Sequence, residues 1–208
     1  LVLFMNLQSS FTLILTVTTL GFGFIGALDD YLKLKHSNTK GLSGKKKFFM
    51  QTGVAILISL YLLCPLIQEF FHIGNWFSPP IAKLAYASSQ EVVPYTTVMY
   101  QIFFPFLKNP VFVFSTLFTV GLILFYIIVI VGTSNSVNLS DGLDGLATGL
   151  LILVGASLAL VAFLTNHVEI SSYLHILYIE GSGEIAVFLS AFIGASLGFL
   201  WYNGYPAQ

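Results

Sequence analysis

Five stretches of this chain, Leu7–Leu28, Phe48–Ile67, Val111–Val131, Leu146–Thr165 and Ile185–Trp201, contain no charged side chain at all. A bilayer core is crossed by about 20 residues of helix, and in lipid only helices and closed barrels satisfy every backbone polar group. The runs therefore predict five transmembrane helices and an all-α polytopic membrane protein. Composition decides the same way: only 8% of the 208 residues are charged, where a soluble domain carries about 25%. The first run lacks the basic flank and small-residue cleavage site of a signal peptide. The chain opens directly on Leu-Val-Leu-Phe and is expected to be an excerpt of a longer polypeptide.

Orientation follows from lysine. Six of the eight lysines, Lys33, Lys35, Lys40, Lys45, Lys46 and Lys47, fall between the first two runs, which predicts a cytoplasmic segment 29–47. Alternation then makes 68–110 and 166–184 extracytoplasmic, and 132–145 and 202–208 cytoplasmic. In the outer segment, Val92, Val93, Tyr95 and Val98 among several prolines predict short strands and turns, and Trp76, Tyr86 and Tyr100 read as interface anchors. The four histidines show no metal-ligand spacing, so no zinc site is expected. Cys64 is the single cysteine and reads as packing. With no arginine in the chain, a nucleic acid partner is not expected. The lysine run beside the membrane attracts anionic lipid headgroups whatever else it does.

The chemistry lies in the aspartates. All four, Asp29, Asp30, Asp141 and Asp144, occur in two short segments, while all five glutamates lie elsewhere. Alternation puts both segments on one membrane face, so the two pairs are expected to converge on a cation or a polyphosphate. Asp29 and Asp30 close the first run, near an expected helix C-terminus whose dipole disfavours them. The plain structural reading is a weak helix-surface pairing with Lys33, four and three residues on. In the second segment Asp141 as N-cap and Asp144 at N3 resemble a capping box. Capping does not require Asn135 and Asn138 as well, and these amides with two carboxylates and loosening glycines offer hard oxygen ligands.

The motifs Asp29-Asp30-x-x-Lys33 and Asn138-x-x-Asp141-Gly142-x-Asp144-Gly145 resemble those of the polyprenyl-phosphate N-acetylhexosamine-1-phosphate transferase superfamily. The stretches Thr39-Lys40-Gly41-Leu42, Asn138–Ala147 and Phe199–Asn203 with Pro206-Ala207 resemble its phospho-N-acetylmuramoyl-pentapeptide transferase branch. The resemblance implies transfer of phospho-MurNAc-pentapeptide from UDP-MurNAc-pentapeptide to undecaprenyl phosphate, giving lipid I and UMP, with Mg²⁺ as cofactor at the bacterial plasma membrane. It implies that Asp29 orients or deprotonates the lipid phosphate, and that Asp30 and Lys33 hold the phosphate and metal environment. Lys45 or Lys47 would contact the diphosphate, Asn138, Asp141, Asp144 and Asn203 would line the nucleotide-sugar side, and Asn135 would be a further substrate-binding residue, with Asp30, Asp141 and Asp144 as metal ligands. A covalent phospho-aspartate route stays open beside direct attack. So does a homodimer.

Family resemblance also implies about ten spans in the parent, each the ~20-residue helix a bilayer requires. A Gly-Asp-Thr-Gly loop and a histidine-rich loop would follow Gln208, so the 208 residues alone are expected to be inactive. Two competing readings are a sister transferase moving GlcNAc-1-phosphate, which shares both aspartate motifs, and a transporter or channel. The latter predicts acids inside the spans rather than at their ends.

Overall fold

The computed structural model describes residues 3–36, 41–72, 74, 76–78, 81–83, 92–93, 98–104, 107, 109–115 and 119–203. Lys40, Tyr86 and Pro206-Ala207, singled out above, lie outside them. Five long apolar helices dominate: α1 (Ser10–His36), α2 (Gly44–Leu63), α4 (Thr119–Ser140), α5 (Leu146–Thr165) and α7 (Gly183–Asn203). All are long and apolar enough to cross a membrane. Among the described residues there are also two short helices, α3 (Pro65–Phe71) and α6 (Val168–Leu174), and five two-residue strands. The chain is a multi-pass, all-α membrane protein with a small strand-and-turn segment.

The helices form a closed ring in which α1 packs on α2, α2 on α4, α4 on α5, α5 on α7 and α7 on α1. Large apolar side chains such as Leu20, Phe24, Ile128 and Leu153 face outward, as lipid solvation of a bundle demands. The most enclosed helix is α2, which buries Gln51, Ala55, Ile58, Ser59 and Leu63 along one stripe of i, i+3 and i+4 spacing. Ala55 and Ser59 are fully buried, and such small residues let neighbouring helices approach. Gly155 does the same between α5 and α7, where an added Cβ would lie 3.4 Å from Ile193.

At one end of the ring, β1 (Ala82–Lys83) pairs antiparallel with both β2 (Val92–Val93) and β5 (Tyr178–Ile179). A separate hairpin joins β3 (Gln101–Ile102) to β4 (Phe112–Val113). Beside it Leu63, Met99 and Leu122 form the buried apolar cluster, and the Tyr100 hydroxyl donates to the Leu63 carbonyl at 3.4 Å. Trp76 stacks edge-on against Phe77.

The largest differences between helix ends and the apolar runs fall in α1, α2 and α4. Helix α1 continues through Asp29 and Asp30 to His36, because Tyr31-Leu32-Lys33-Leu34-Lys35 are helix-compatible and basic residues suit a last turn. Helix α2 stops at Leu63 because Pro65 cannot supply a helical N–H. Helix α4 is displaced to 119–140, since Phe112-Val113 is claimed by the hairpin and the polar Thr133–Ser140 segment winds on as helix.

Candidate active site

Asp29 and Asp30 lie two turns inside α1, which corrects their expected position near its C-terminus. Helical spacing brings Lys33 beneath both. Its Nζ stands 2.7 Å from Asp29 Oδ2 and 3.1 Å from Asp30 Oδ1. The two carboxylates differ in access: the Asp29 side chain is 14% exposed and that of Asp30 73%.

The difference arises from the turn leading into α2. Leu42 donates its backbone N–H to Asp29 Oδ1 at 2.7 Å, so both Asp29 oxygens are engaged. That approach needs glycine before it. Gly41 has φ +47°, and a Cβ there would meet Asp29 Oδ1 at 2.5 Å and Lys33 Cε at 2.9 Å.

Helix α2 then opens with Lys45, Lys46 and Lys47 in its first turn, no acid beside them and no side-chain cap from Ser43. Unpaired backbone N–H groups, the positive dipole end and three ammonium groups add at one place. Lys45 is exposed. Lys47 donates to Asn138 Oδ1 at 3.3 Å, and its charge also acts on Asp29. Thus Lys47 stands between the two aspartate motifs.

One turn deeper the same helix pair is joined again. The amide of Gln51, 2% exposed, donates to Ser134 Oγ at 3.2 Å and accepts from Asn135 Nδ2 at 2.9 Å. Asn135 Nδ2 donates also to the Val131 carbonyl at 2.8 Å, so both its N–H groups are spent within the bundle. Sequence reading missed Gln51 and Ser134. A lone amide four residues after Lys47 in an otherwise apolar run was the available signal.

Asp141 and Asp144 occupy the exposed turn between α4 and α5 and make no side-chain hydrogen bond or ion pair among the described residues. The expected capping box is corrected: α4 absorbs the chain to Ser140, and α5 is capped by Gly145 at φ +78° without a side-chain bond. The bond from Gly149 N–H to the Gly145 carbonyl, 2.8 Å, closes the first turn instead. Asn203 is exposed at the end of α7. Helices α1 and α7 start level, with Glu184 accepting the Asn6 N–H at 2.9 Å. Asp29 and Asn203 lie 19 and 20 residues beyond Ser10 and Gly183, so equal rise brings Asn203 to the same end.

Among the described residues no three of His, Cys, Asp and Glu are gathered to cage a metal ion. The donor chemistry nevertheless fits Mg²⁺, which takes one or two carboxylates, substrate phosphates and several waters rather than an all-protein cage. Asp30, Asp141 and Asp144 are exposed hard-oxygen donors of that kind.

Carboxylates, ammonium groups and amides at one helix-bundle end suit a phosphorylated substrate, and residues 12–208 match the model of glycosyl transferase family 4. The chain belongs to glycosyl transferase family 4. Three curated relatives of this family 4 chain carry the name phospho-N-acetylmuramoyl-pentapeptide-transferase. The protein of Protochlamydia amoebophila is 48% identical over 219 residues, covering 100% of this chain and 53% of the relative. That of Endomicrobium trichonymphae is 43% identical over 206 residues, with 99% and 48% covered. That of Thermodesulfovibrio yellowstonii is 40% identical over 207 residues, with 98% and 47% covered. The family 4 chain thus spans about half the length of the curated relatives it matches.

Proposed function

We propose that the protein carrying this chain transfers phospho-MurNAc-pentapeptide from UDP-MurNAc-pentapeptide to undecaprenyl phosphate, releasing UMP and forming lipid I. The observation that carries the reading is the bridge through α2: Leu42 on Asp29 and Lys47 on Asn138 tie both aspartate motifs to one lysine-rich helix start. The names of the relatives supply the substrates.

In this reading the lysine-rich end of the ring faces the cytoplasm, at the bacterial plasma membrane. Lys45 and Lys47 with the free N–H groups of α2 bind the diphosphate, as helix N-termini favour anions. Asn138, Asp141, Asp144 and Asn203 border the nucleotide-sugar side, and Asn135 steadies that border. One or two of Asp30, Asp141 and Asp144 would hold Mg²⁺ together with substrate phosphates, and the ion when bound would supply neutralisation of phosphate charge. The second pKa of a phosphate monoester is about 6, so the lipid phosphate reaches the site largely dianionic and needs little base catalysis. Asp29, with both oxygens engaged, is suited to orienting the nucleophile through Lys33 rather than to taking a proton. Asp30, open to solvent, is the carboxylate able to exchange partners. Catalysis is then chiefly positioning and charge neutralisation.

The test is UMP release by the intact protein in detergent with undecaprenyl phosphate and Mg²⁺, offering UDP-MurNAc-pentapeptide or UDP-GlcNAc. Release with the muramoyl substrate alone supports the reading. Release with UDP-GlcNAc alone moves the protein to the sister chemistry, and release with neither overturns both.

A further inference from the structure

Helices α2 and α4 run antiparallel and touch through two polar rungs. The outer rung is Lys47 with Asn138 at 3.3 Å, exposed at the candidate site. The inner rung, one turn deeper, is the amide of Gln51 held between Ser134 and Asn135. Beyond it the stripe is mainly apolar, interrupted by the buried Ser59 hydroxyl, which has no hydrogen-bond partner among the described residues, and it ends at Leu63 and Leu122. An apolar seam in lipid is weakly directional, because sliding one helix along another exchanges one apolar contact for a similar one. A buried amide pair is directional, since a slip strands donors and acceptors away from water. The helix register therefore depends on the inner rung.

We infer that Gln51 and Asn135 form an interhelical amide clamp that sets the α2–α4 register and so holds Lys47 against Asn138 for substrate. Both are positioning residues. This gives Asn135 a role different from direct substrate contact: its two N–H groups already go to Gln51 and Val131. The assignment of substrate to Lys47 and Asn138 rests on the proposed function; the register claim stands on the geometry alone.

The test exchanges the two amides in the intact protein. Gln51→Asn leaves the pair one methylene short, Asn135→Gln makes it one too long, and the double variant restores the combined reach. Register is read without substrate, by the rate at which a short bismaleimide joins Lys47→Cys to Asn138→Cys in a background where Cys64 and any other cysteine are serine. Separately, KM and kcat for the nucleotide sugar and Tm are measured on variants with Lys47 and Asn138 intact. Displacement of a binding group by a fraction of an ångström costs roughly tenfold or more. Each single variant is expected to slow cross-linking and raise KM by about tenfold, and the double variant to recover both.

A merely stabilising contact would lower Tm and leave KM and cross-linking of the folded protein unchanged, which overturns the clamp. Failure of the double variant to recover, with Asn135→Gln alone abolishing turnover at normal cross-linking, also overturns it and returns Asn135 to the substrate. If the wild-type protein lacks transferase activity yet cross-linking follows the amide swap, the clamp stands and the functional reading falls.

Discussion

The backbone N–H of Leu42 reaches Asp29 Oδ1 at 2.7 Å across 13 residues of sequence, fastening α1, two turns before its end, to the turn that leads into α2. This one bond makes two adjacent aspartates unequal. Asp29 becomes a fixed part of the scaffold while Asp30 stays free to meet a ligand, and the asymmetry depends on Gly41 being small and left-handed.

Gly41→Ala is therefore expected to impair the site more than the fold. A non-glycine residue in the left-handed region costs about 1 kcal/mol, and the new Cβ must displace Asp29 or Lys33. Turnover should fall by at least about tenfold, as for other misplaced catalytic groups, while Tm drops by only a few degrees. Unchanged turnover in purified Gly41→Ala protein would show that the Leu42–Asp29 bond has no part in catalysis.

Asp30→Asn separates chemistry from stability in the opposite way. The Asp30 side chain is 73% exposed and its only partner among the described residues is Lys33, an ion pair of a type that adds little stability. Insertion, yield and Tm should match the wild type while UMP release disappears. A near-normal rate would remove Asp30 from the metal and phosphate roles.

What the sequence displayed and what it hid follow from the range of the interactions. Uncharged runs of span length are a local property, so the five helices could be counted before any packing was known. Their ends could not, since hydropathy cannot tell that Phe112-Val113 will pair with Gln101-Ile102 or that the polar 133–140 segment will continue as helix. Within the site, Lys33 with Asp29 and Asp30 was visible as i+4 and i+3 spacing. The links from Leu42 to Asp29, Lys47 to Asn138 and Gln51 to Asn135 join residues 13, 91 and 84 apart. No periodicity encodes them.

Lys47→Met should weaken substrate binding by removing an ammonium group from the start of α2 while keeping an unbranched apolar stem. Lys47→Arg is not expected to restore full function, because a planar fork cannot reproduce a point charge aimed at a single amide oxygen. KM for the nucleotide sugar is the readout. Wild-type KM in Lys47→Met would detach this lysine from the diphosphate.

The contact between α1 and α2 offers a test of the fold itself, with an internal control two residues away. A Cβ on Gly21 would lie 3.0 Å from Val54 Cγ1 and 3.2 Å from Val54 Cγ2, whereas one on Gly23 meets nothing within 4 Å. Val54 is β-branched and stiff at χ1, so it yields only by moving the helices apart. Gly21→Ala is expected to cost about 1 kcal/mol, lowering Tm by roughly 2–4 °C in a chain of this size. Gly23→Ala should leave Tm unchanged or raise it slightly, since alanine is the better helix former. Because the Leu42–Asp29 bond joins α1 to the turn that leads into α2, Gly21→Ala should also reduce turnover where Gly23→Ala does not. Equal Tm and equal rates for the two variants would mean that α1 and α2 are not packed through Gly21 and Val54.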